Sequence, residues 1–246
     1  MIFGIQLSSA KRATQTEEDL TRTLARLSAM GYRYTQLQWM SREIPPEAVA
    51  EALRGAGMIS LGTQDYYEEV CAHLAYFLSL NRLTGGTQLC VSGIPDAYLS
   101  YEGCVAFAKE LTPLAERAES EGLVHSIHPR NKELVSFSGV PAMDILLSQV
   151  KGLELTLDTN HILRAGLSAK DTVARYAGRV GMIHFKDMVD TTREHSHLTP
   201  VGQGCTDWDE VLKACLAYGV PYALVEQESH DKDMRSEEHT SELQSR

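Results

Sequence analysis

Short runs of β-like hydrophobic sequence recur along this chain, separated by stretches of helical periodicity. The strand-like runs fall at residues 3–7, 34–38, 58–63, 88–92, 123–128, 153–158, 180–186 and 222–226. Helical patterns lie between them, at 17–30, 46–55, 65–81, 101–120, 141–150, 169–176 and 208–218. Several of these close on a glycine where a C-terminal cap needs one: Gly31, Gly122, Gly152, Gly178 and Gly219. Strict alternation of strand and helix predicts a parallel sheet with helical crossovers. A doubly wound open sheet would alternate as well. Eight units in roughly 230 residues, with no G-x-G-x-x-G after the first strand, favour instead an α/β fold of the (β/α)8 TIM-barrel type.

Side-chain parity sharpens that expectation. In Leu153-Glu154-Leu155-Thr156-Leu157-Asp158 the leucines share one face and the polar residues the other. In a barrel the leucine face meets the helices and the polar face looks inward. The seventh strand repeats the pattern, with Ile183 and Phe185 outward and His184 and Lys186 inward. Glu226 is inward on the eighth strand, and Ser126 and His128 on the fifth. Inward acids and histidines at C-terminal strand ends lie where barrel enzymes build their sites.

Asp158, His184 and Glu226 therefore converge on one rim. Such a carboxylate and imidazole set suits a divalent metal (Mn2+, Mg2+, Co2+ or Zn2+), and the spacing does not choose among them. The fifth strand offers either His128 or, a few residues on, Glu133 as a further ligand. His161, three residues after Asp158, reaches the same pocket as a substrate contact. A metal here would polarise the carbonyl of a hydroxy-ketone and acidify the adjacent C–H. A carboxylate such as Glu226 would remove that proton and a second group return it, which is isomerase or epimerase chemistry through an enediolate. Each residue also has a purely structural reading. Asp158 suits a turn or helix cap, His184 a satisfied core histidine, and Glu226 a rim acid paired with Lys186. Lys186 is equally compatible with a substrate contact and with an ion pair to Asp187 or Glu226. His195 and His197, beside Arg193 and Glu194, read as solvated surface. It is the shared parity on adjacent strands that favours a site.

Composition removes several partner classes. A formal net charge of −10 argues against a nucleic-acid backbone and against an anionic membrane surface. No apolar run approaches the ~18 residues of a membrane span. The first residues go straight into strand-like sequence without a signal-peptide pattern, so the cytoplasm is the expected compartment. Five scattered cysteines without a C-x-x-C pair read as incidental thiols. Residues 235–246 look like the translation of a sequencing-library adapter, which leaves residues 1–234 as one domain interrupted before its last helix. On that reading, Phe3, Ile5, Ala223 and Val225 are expected to lose their helical cover, at about 1.5–3 kcal/mol for each side chain left exposed.

At the motifs, the chain resembles the sugar phosphate isomerase/epimerase family of the xylose isomerase-like TIM-barrel superfamily. The matching stretches are Leu157-Asp158-Thr159-Asn160-His161, Ile183-His184-Phe185-Lys186-Asp187-Met188, Pro200-Val201-Gly202-Gln203-Gly204 with Asp207-Trp208-Asp209, and the ending Tyr222-Ala223-Leu224-Val225-Glu226-Gln227-Glu228. Weaker similarity, including Gly4-Ile5-Gln6-Leu7, extends to the start. The resemblance implies a divalent metal held at Asp158, His184 and Glu226, with Glu133 as a further ligand and second acid, and a substrate-contacting or catalytic His161. It also implies a small sugar-like substrate met by His128, Arg130 and Lys186, and a homodimer as a common assembly. The departure is at the fifth strand. Relatives often read Tyr-His-Asn-His there, with a glutamate three residues on, whereas this chain reads Ile127-His128-Pro129-Arg130 and then Glu133.

The leading functional expectation is thus a metal-dependent isomerase or epimerase of a sugar, sugar phosphate or cyclic polyol ketone. A lyase of the inosose or dehydroshikimate dehydratase type is the alternative. Less favoured are an AP endonuclease-like phosphodiesterase and an inactive truncated product.

Overall fold

The computed structural model describes residues 1–190 and 198–228. Eight strands close into one barrel: β1 (Ile2–Gln6), β2 (Tyr34–Leu37), β3 (Ile59–Tyr66), β4 (Gln88–Ser92), β5 (Val124–His128), β6 (Glu154–Asp158), β7 (Val180–Phe185) and β8 (Tyr222–Val225). Each pairs in parallel with its sequence neighbours, and β8 closes on β1 through a register running from Ile2↔Tyr222 to Ile5↔Val225. The β2–β3 ladder slips between Ser60 and Gly62; Gly62 sits at φ 154°, and a Cβ there would meet the Gln88 carbonyl at 2.2 Å, which calls for glycine at that position.

The helices start where the chain offers a cap. Thr16 accepts from the Asp19 N–H at the head of α1 (Glu17–Ala29), with Glu17, Glu18 and Asp19 in the first turn. Pro46 opens α2 (Pro46–Ala56). The five glycines expected to close helices all adopt positive φ, as do Gly57 and Gly85.

The pattern at 65–81 predicts one helix, and the structure corrects it. β3 runs on to Tyr66, because Asp65 is buried on the strand, accepting from the Tyr66 N–H and pairing with Arg42 at 2.9 Å. The helical part then breaks at His73 into α3 (Tyr67–Ala72) and α4 (Leu74–Thr84). After α5 (Tyr101–Ser120) and α6 (Ala142–Gln149), a short α7 (Thr159–Arg164) that periodicity missed follows β6 directly. The series ends with α8 (Ala169–Arg175) and α9 (Trp208–Ala217).

Two cores result. The outer one lies between strands and helices and includes Ile5, Leu24, Leu89, Phe107, Ile127, Leu157, Ile183 and Val211. A small inner one, Leu61, Met182 and Leu224 with Tyr34 and Tyr222 packed on it, plugs the base of the barrel. The expected loss of cover is corrected for three of the four residues named. Ile5, Ala223 and Val225 are buried in the outer core; Phe3 stays 39% exposed. Phe3 packs edge-on against Phe185, whose ring lies 5.0 Å from that of Trp208. His195, His197 and residues 235–246 lie outside the described residues. Among those described, no helix is long and apolar enough to cross a membrane.

His125 shows what the outer core costs a polar side chain. Parity places it toward the helices, where it is 3% exposed. Burial, only partly offset by the Leu89 backbone, pushes its imidazole down to about 4. In the unfolded chain the group titrates near 6.5. Stability is therefore full above pH 6.5 and lost as pH falls from there toward 4, because the unfolded state binds the proton first. His125→Leu is expected to flatten the melting temperature between pH 7 and pH 4.5. An unchanged pH slope would remove His125 as a source of acid sensitivity.

Candidate metal centre

β5, β6, β7 and β8 each deliver one side chain to a common point at the C-terminal rim. One ligand atom from each of His128, Asp158, His184 and Glu226 can be chosen so that all lie within 4.8 Å of one another, and all four residues are buried. Asp158 has two roles. It ends β6 and caps α7, its Oδ1 accepting the His161 N–H at 3.0 Å, while Oδ2 has no hydrogen-bond partner. The cap reading of this acid holds, and its second oxygen belongs to the four-residue cluster. Glu226 is similarly divided. Its Oε1 accepts from the Ser8 hydroxyl at 2.8 Å, and its Oε2 lies 2.9 Å from His184 Nδ1 without a hydrogen bond between them.

The His184 tautomer follows from a ladder of amides inside the barrel. Gln6 Nε2 donates to Gln36 Oε1, and Gln36 Nε2 donates to Gln88 Oε1. With the amides in this orientation Gln36 Oε1 is an acceptor, and His184 Nε2, 2.9 Å away, is placed as its donor. That leaves Nδ1 with its lone pair beside the Glu226 carboxylate. With an unpartnered Asp158 oxygen and the unpartnered His128 Nε2 close by, these atoms form a set that a cation would satisfy.

Electrostatics favours the same set. Burial pushes the Asp158 carboxyl up but is outweighed by His161, Lys186 and the His128 contact, which hold it down at about 2. Glu226 lies well below its ordinary range for the same reason, with burial overcome by Lys186 and His184. Burial lowers His184, so its ring is neutral at pH 7, as a ligand must be. Lys186 is 3% exposed. Its ammonium lies 2.7 Å from Glu228, 3.7 Å from Glu226 and 4.0 Å from Asp158. Burial lowers its pKa, but these three carboxylates raise it further, and it stays charged. Lys186 thus pairs with Glu226 and not with Asp187. Its backbone N–H donates to the Thr159 hydroxyl at 2.9 Å, which ties the end of β7 to α7.

A cavity of about 160 Å³ opens at this rim, with His128 and Glu226 of the cluster and His161, Lys186 and Arg130 among its walls. His161 is pushed down to about 4, mainly by burial, and its ring meets that of His128 edge-on at 5.6 Å. Glu133 does not join this group, which corrects its expected place as ligand or base. Its buried carboxylate accepts from the Arg130 backbone N–H at 2.5 Å and from the guanidinium at 2.8 and 3.2 Å. It borders instead a larger outer cleft of about 480 Å³, beside Leu134 and Arg175. That cleft contains none of the four clustered residues, whereas His128 and Glu226 line the smaller cavity. Of the two fifth-strand candidates, the structure brings His128 to the centre.

Sequence reasoning missed Gln36 and Ser8, which orient His184 and Glu226. Inward parity on β2 was the available signal for Gln36; Ser8 offered none. Asp187 lay inside a recognised motif, but its role becomes visible only here. Fully buried, it accepts from the N–H groups of Met188, Gly202, Gly204 and Thr206, from the Thr206 hydroxyl and from Trp208 Nε1. It pins the 200–208 segment to the barrel.

A closed parallel barrel with carboxylates and imidazoles gathered at its C-terminal rim is the layout of barrel enzymes. The chain belongs to the xylose isomerase-like TIM barrel family, whose model matches residues 18–244. Among solved structures it is similar to a sugar phosphate isomerase/epimerase from Parabacteroides distasonis (TM-score 0.80, 14% identity, 98% of this chain and 96% of that one). It is also similar to the probable 3-DHS dehydratase AsbF from Bacillus anthracis (TM-score 0.78, 14% identity, 100% and 99%). A third is the 3-keto-D-glucoside 4-epimerase YcjR from E. coli (TM-score 0.74, 16% identity, 100% and 99%). At these identities the likeness is one of fold. No curated protein matches the sequence significantly.

Asp187→Ala strips six donors of their common acceptor. The expected cost is about 3 kcal/mol or more, a fall in melting temperature of roughly 6–12 °C for a chain of this size. A melt within a degree of the parent would show that the 200–208 segment is held by other means.

Proposed function

We propose that this protein is a divalent-metal-dependent isomerase or epimerase of a small sugar-like hydroxy-ketone. The observation that carries this reading is the set of bare ligand atoms on His128, Asp158, His184 and Glu226, gathered under a cavity with polar walls. Two ionised carboxylates and two imidazoles suit Mn2+, Mg2+, Co2+ or Zn2+. When bound, such an ion supplies Lewis acidity that polarises a substrate carbonyl and acidifies the neighbouring C–H.

The chain's own residues supply the rest. Lys186, kept as an ammonium by three carboxylates, stabilises negative charge developing on a substrate oxygen. His161 lines the cavity as a neutral imidazole and carries the proton to or from the carbon beside the carbonyl. Glu226 is better suited to hold the cation than to take that proton, because Ser8, Lys186 and His184 already stabilise its ionised form. Glu133 takes no part, being bound to Arg130. The same arrangement expels a β-hydroxyl when the substrate carries one, so water release is the outcome that would assign the site to a dehydratase.

Mn2+ titration tests the centre. One ion per chain is expected in the parent and none in Asp158→Ala or Glu226→Ala; a parent that binds no metal overturns the proposal. Solvent deuterium exchange then tests the chemistry. With a panel of ketoses, the metal-loaded parent is expected to exchange the proton next to the carbonyl of its substrate. His161→Phe is expected to slow that exchange by about 100-fold or more while Mn2+ affinity stays within about three-fold. An equal loss of both would make His161 structural.

A further inference from the structure

Resting on that function, we propose that Glu154, at the base of the barrel, is a positioning residue for the metal ligand His184, acting through the amides of Gln88 and Gln36. The path runs down the barrel interior, away from the rim cavity, and three observations carry it.

The first is that the amide ladder does not choose its own direction. The two ends of a carboxamide are nearly isosteric, so its partners decide which end points where. In the structure Gln6 Nε2 and Gln36 Nε2 are the donors, and Gln36 Oε1 faces His184 Nε2 at 2.9 Å. Turning all three amides over keeps the same number of bonds. Gln36 Nε2 would then donate to His184 Nε2 and to Gln6 Oε1, an atom that otherwise has no partner. Gln88 Nε2 would donate to Gln36 Oε1. Direction must therefore come from the two ends of the ladder.

The second is that the upper end favours reversal. With the ladder turned over, His184 carries its proton on Nδ1, 2.9 Å from Glu226 Oε2, and donates to that oxygen. In that tautomer Nδ1 has no lone pair for a cation. A His184 ready to bind metal needs an opposing influence from below.

The third is that the lower end supplies one. Glu154 points inward on β6, with the parity of Thr156 and Asp158 and in register with Ser126. It is half-buried and makes no hydrogen bond among the described residues. The β6–β7 register slips beside it, and Gly181 stands at the slip. A Cβ on Gly181 would collide with Glu154 Oε2 and lie 3.4 Å from Gln88 Nε2. Glycine thus leaves a space that the carboxylate and the amino end of Gln88 share. Side-chain dipoles orient in the local field, and an anion here draws the amino end toward it. Burial raises the Glu154 carboxyl and Arg179 lowers it. The Arg179 guanidinium is itself tied to the Leu153 carbonyl at 2.6 Å. With Gln88 Nε2 held at the base, Gln88 Oε1 meets Gln36 Nε2, and Gln36 Oε1 meets His184. The lone pair of His184 Nδ1 is then left for the metal.

Zn2+ titration and 15N-histidine NMR of the full chain at pH 8 test this, with His184→Gln identifying the His184 signals. Glu154→Gln keeps the shape but removes the charge, and its amide can present either end. It is expected to lose ten-fold or more in Zn2+ affinity. In a Gln88→Leu background the same change is expected to cost less than two-fold, because the path is already cut. Without metal, His184 is expected as the Nε2–H tautomer in the parent and as the Nδ1–H tautomer in Glu154→Gln. An equal loss in both backgrounds would mean plain charge attraction across the barrel and would overturn the inference. Unchanged affinity in Glu154→Gln, or the same tautomer in parent and variant, would overturn it too. A parent that takes up no Zn2+ defeats the proposed function, whereas the tautomer comparison, made without metal, decides this inference by itself.

Discussion

A carboxylate taken out of water must be given donors or a cation, and three of the acids this barrel buries show the two outcomes. Asp187 receives six donors and becomes a fixed post. Asp158 and Glu226 receive protein donors on one oxygen each and none on the other. An unpaired buried charge costs several kcal/mol, and Lys186, within 4.0 Å of both acids, offsets part of that cost. Whether a buried acid serves structure or chemistry is thus written in how completely its oxygens are satisfied.

The rest of the interior is arranged around that difference. The apolar plug of Leu61, Met182 and Leu224 closes the base. Above it the amides of Gln6, Gln36 and Gln88 form a neutral layer that hands a hydrogen-bond acceptor upward to His184. An apolar layer in that position would leave Nε2 unpaired and the tautomer unset; a charged one would alter His184 itself. Amides supply direction without charge, and they do so from strands that contribute no ligand.

Strand parity made much of this legible in advance. Period-two alternation placed Asp158, His184, Glu226 and His128 inward at strand ends, because register in a closed barrel leaves each side chain only two faces. What escaped was whatever depends on distances across the barrel. Gln36 lies 148 residues from His184 and Ser8 lies 218 from Glu226, separations at which no local pattern pairs them. The helix predicted over 65–81 failed for a similar reason. Its apolar spacing is genuine, but Asp65 is drawn into the strand by Arg42, from a different loop. The burial of Ile5, Ala223 and Val225 in the outer core is likewise invisible to a count of crossover helices.

The departures at the fifth strand, which look like two losses in sequence, are one event in space. Family resemblance leads one to expect a second histidine where this chain has Arg130, with Glu133 free to act as an acid. A guanidinium at that position presents a planar fork three residues from a carboxylate, and the pair closes with three contacts, one of them from the Arg130 backbone. The arginine is then braced against the Ile94 carbonyl and lies over the Tyr66 ring, where its guanidinium fills the space that a Cβ on Gly93 would need. Glu133 is thereby withdrawn from the rim, and the imidazole of His128 stands where a fifth-strand carboxylate would otherwise have been sought. A mechanism with one acid on each face of the substrate has no second acid from this strand. Under the proposed function the imidazole of His161 carries the proton and the ammonium of Lys186 stabilises the charge, and both groups hold their places because Asp158 caps α7 and Thr159 ties it to β7.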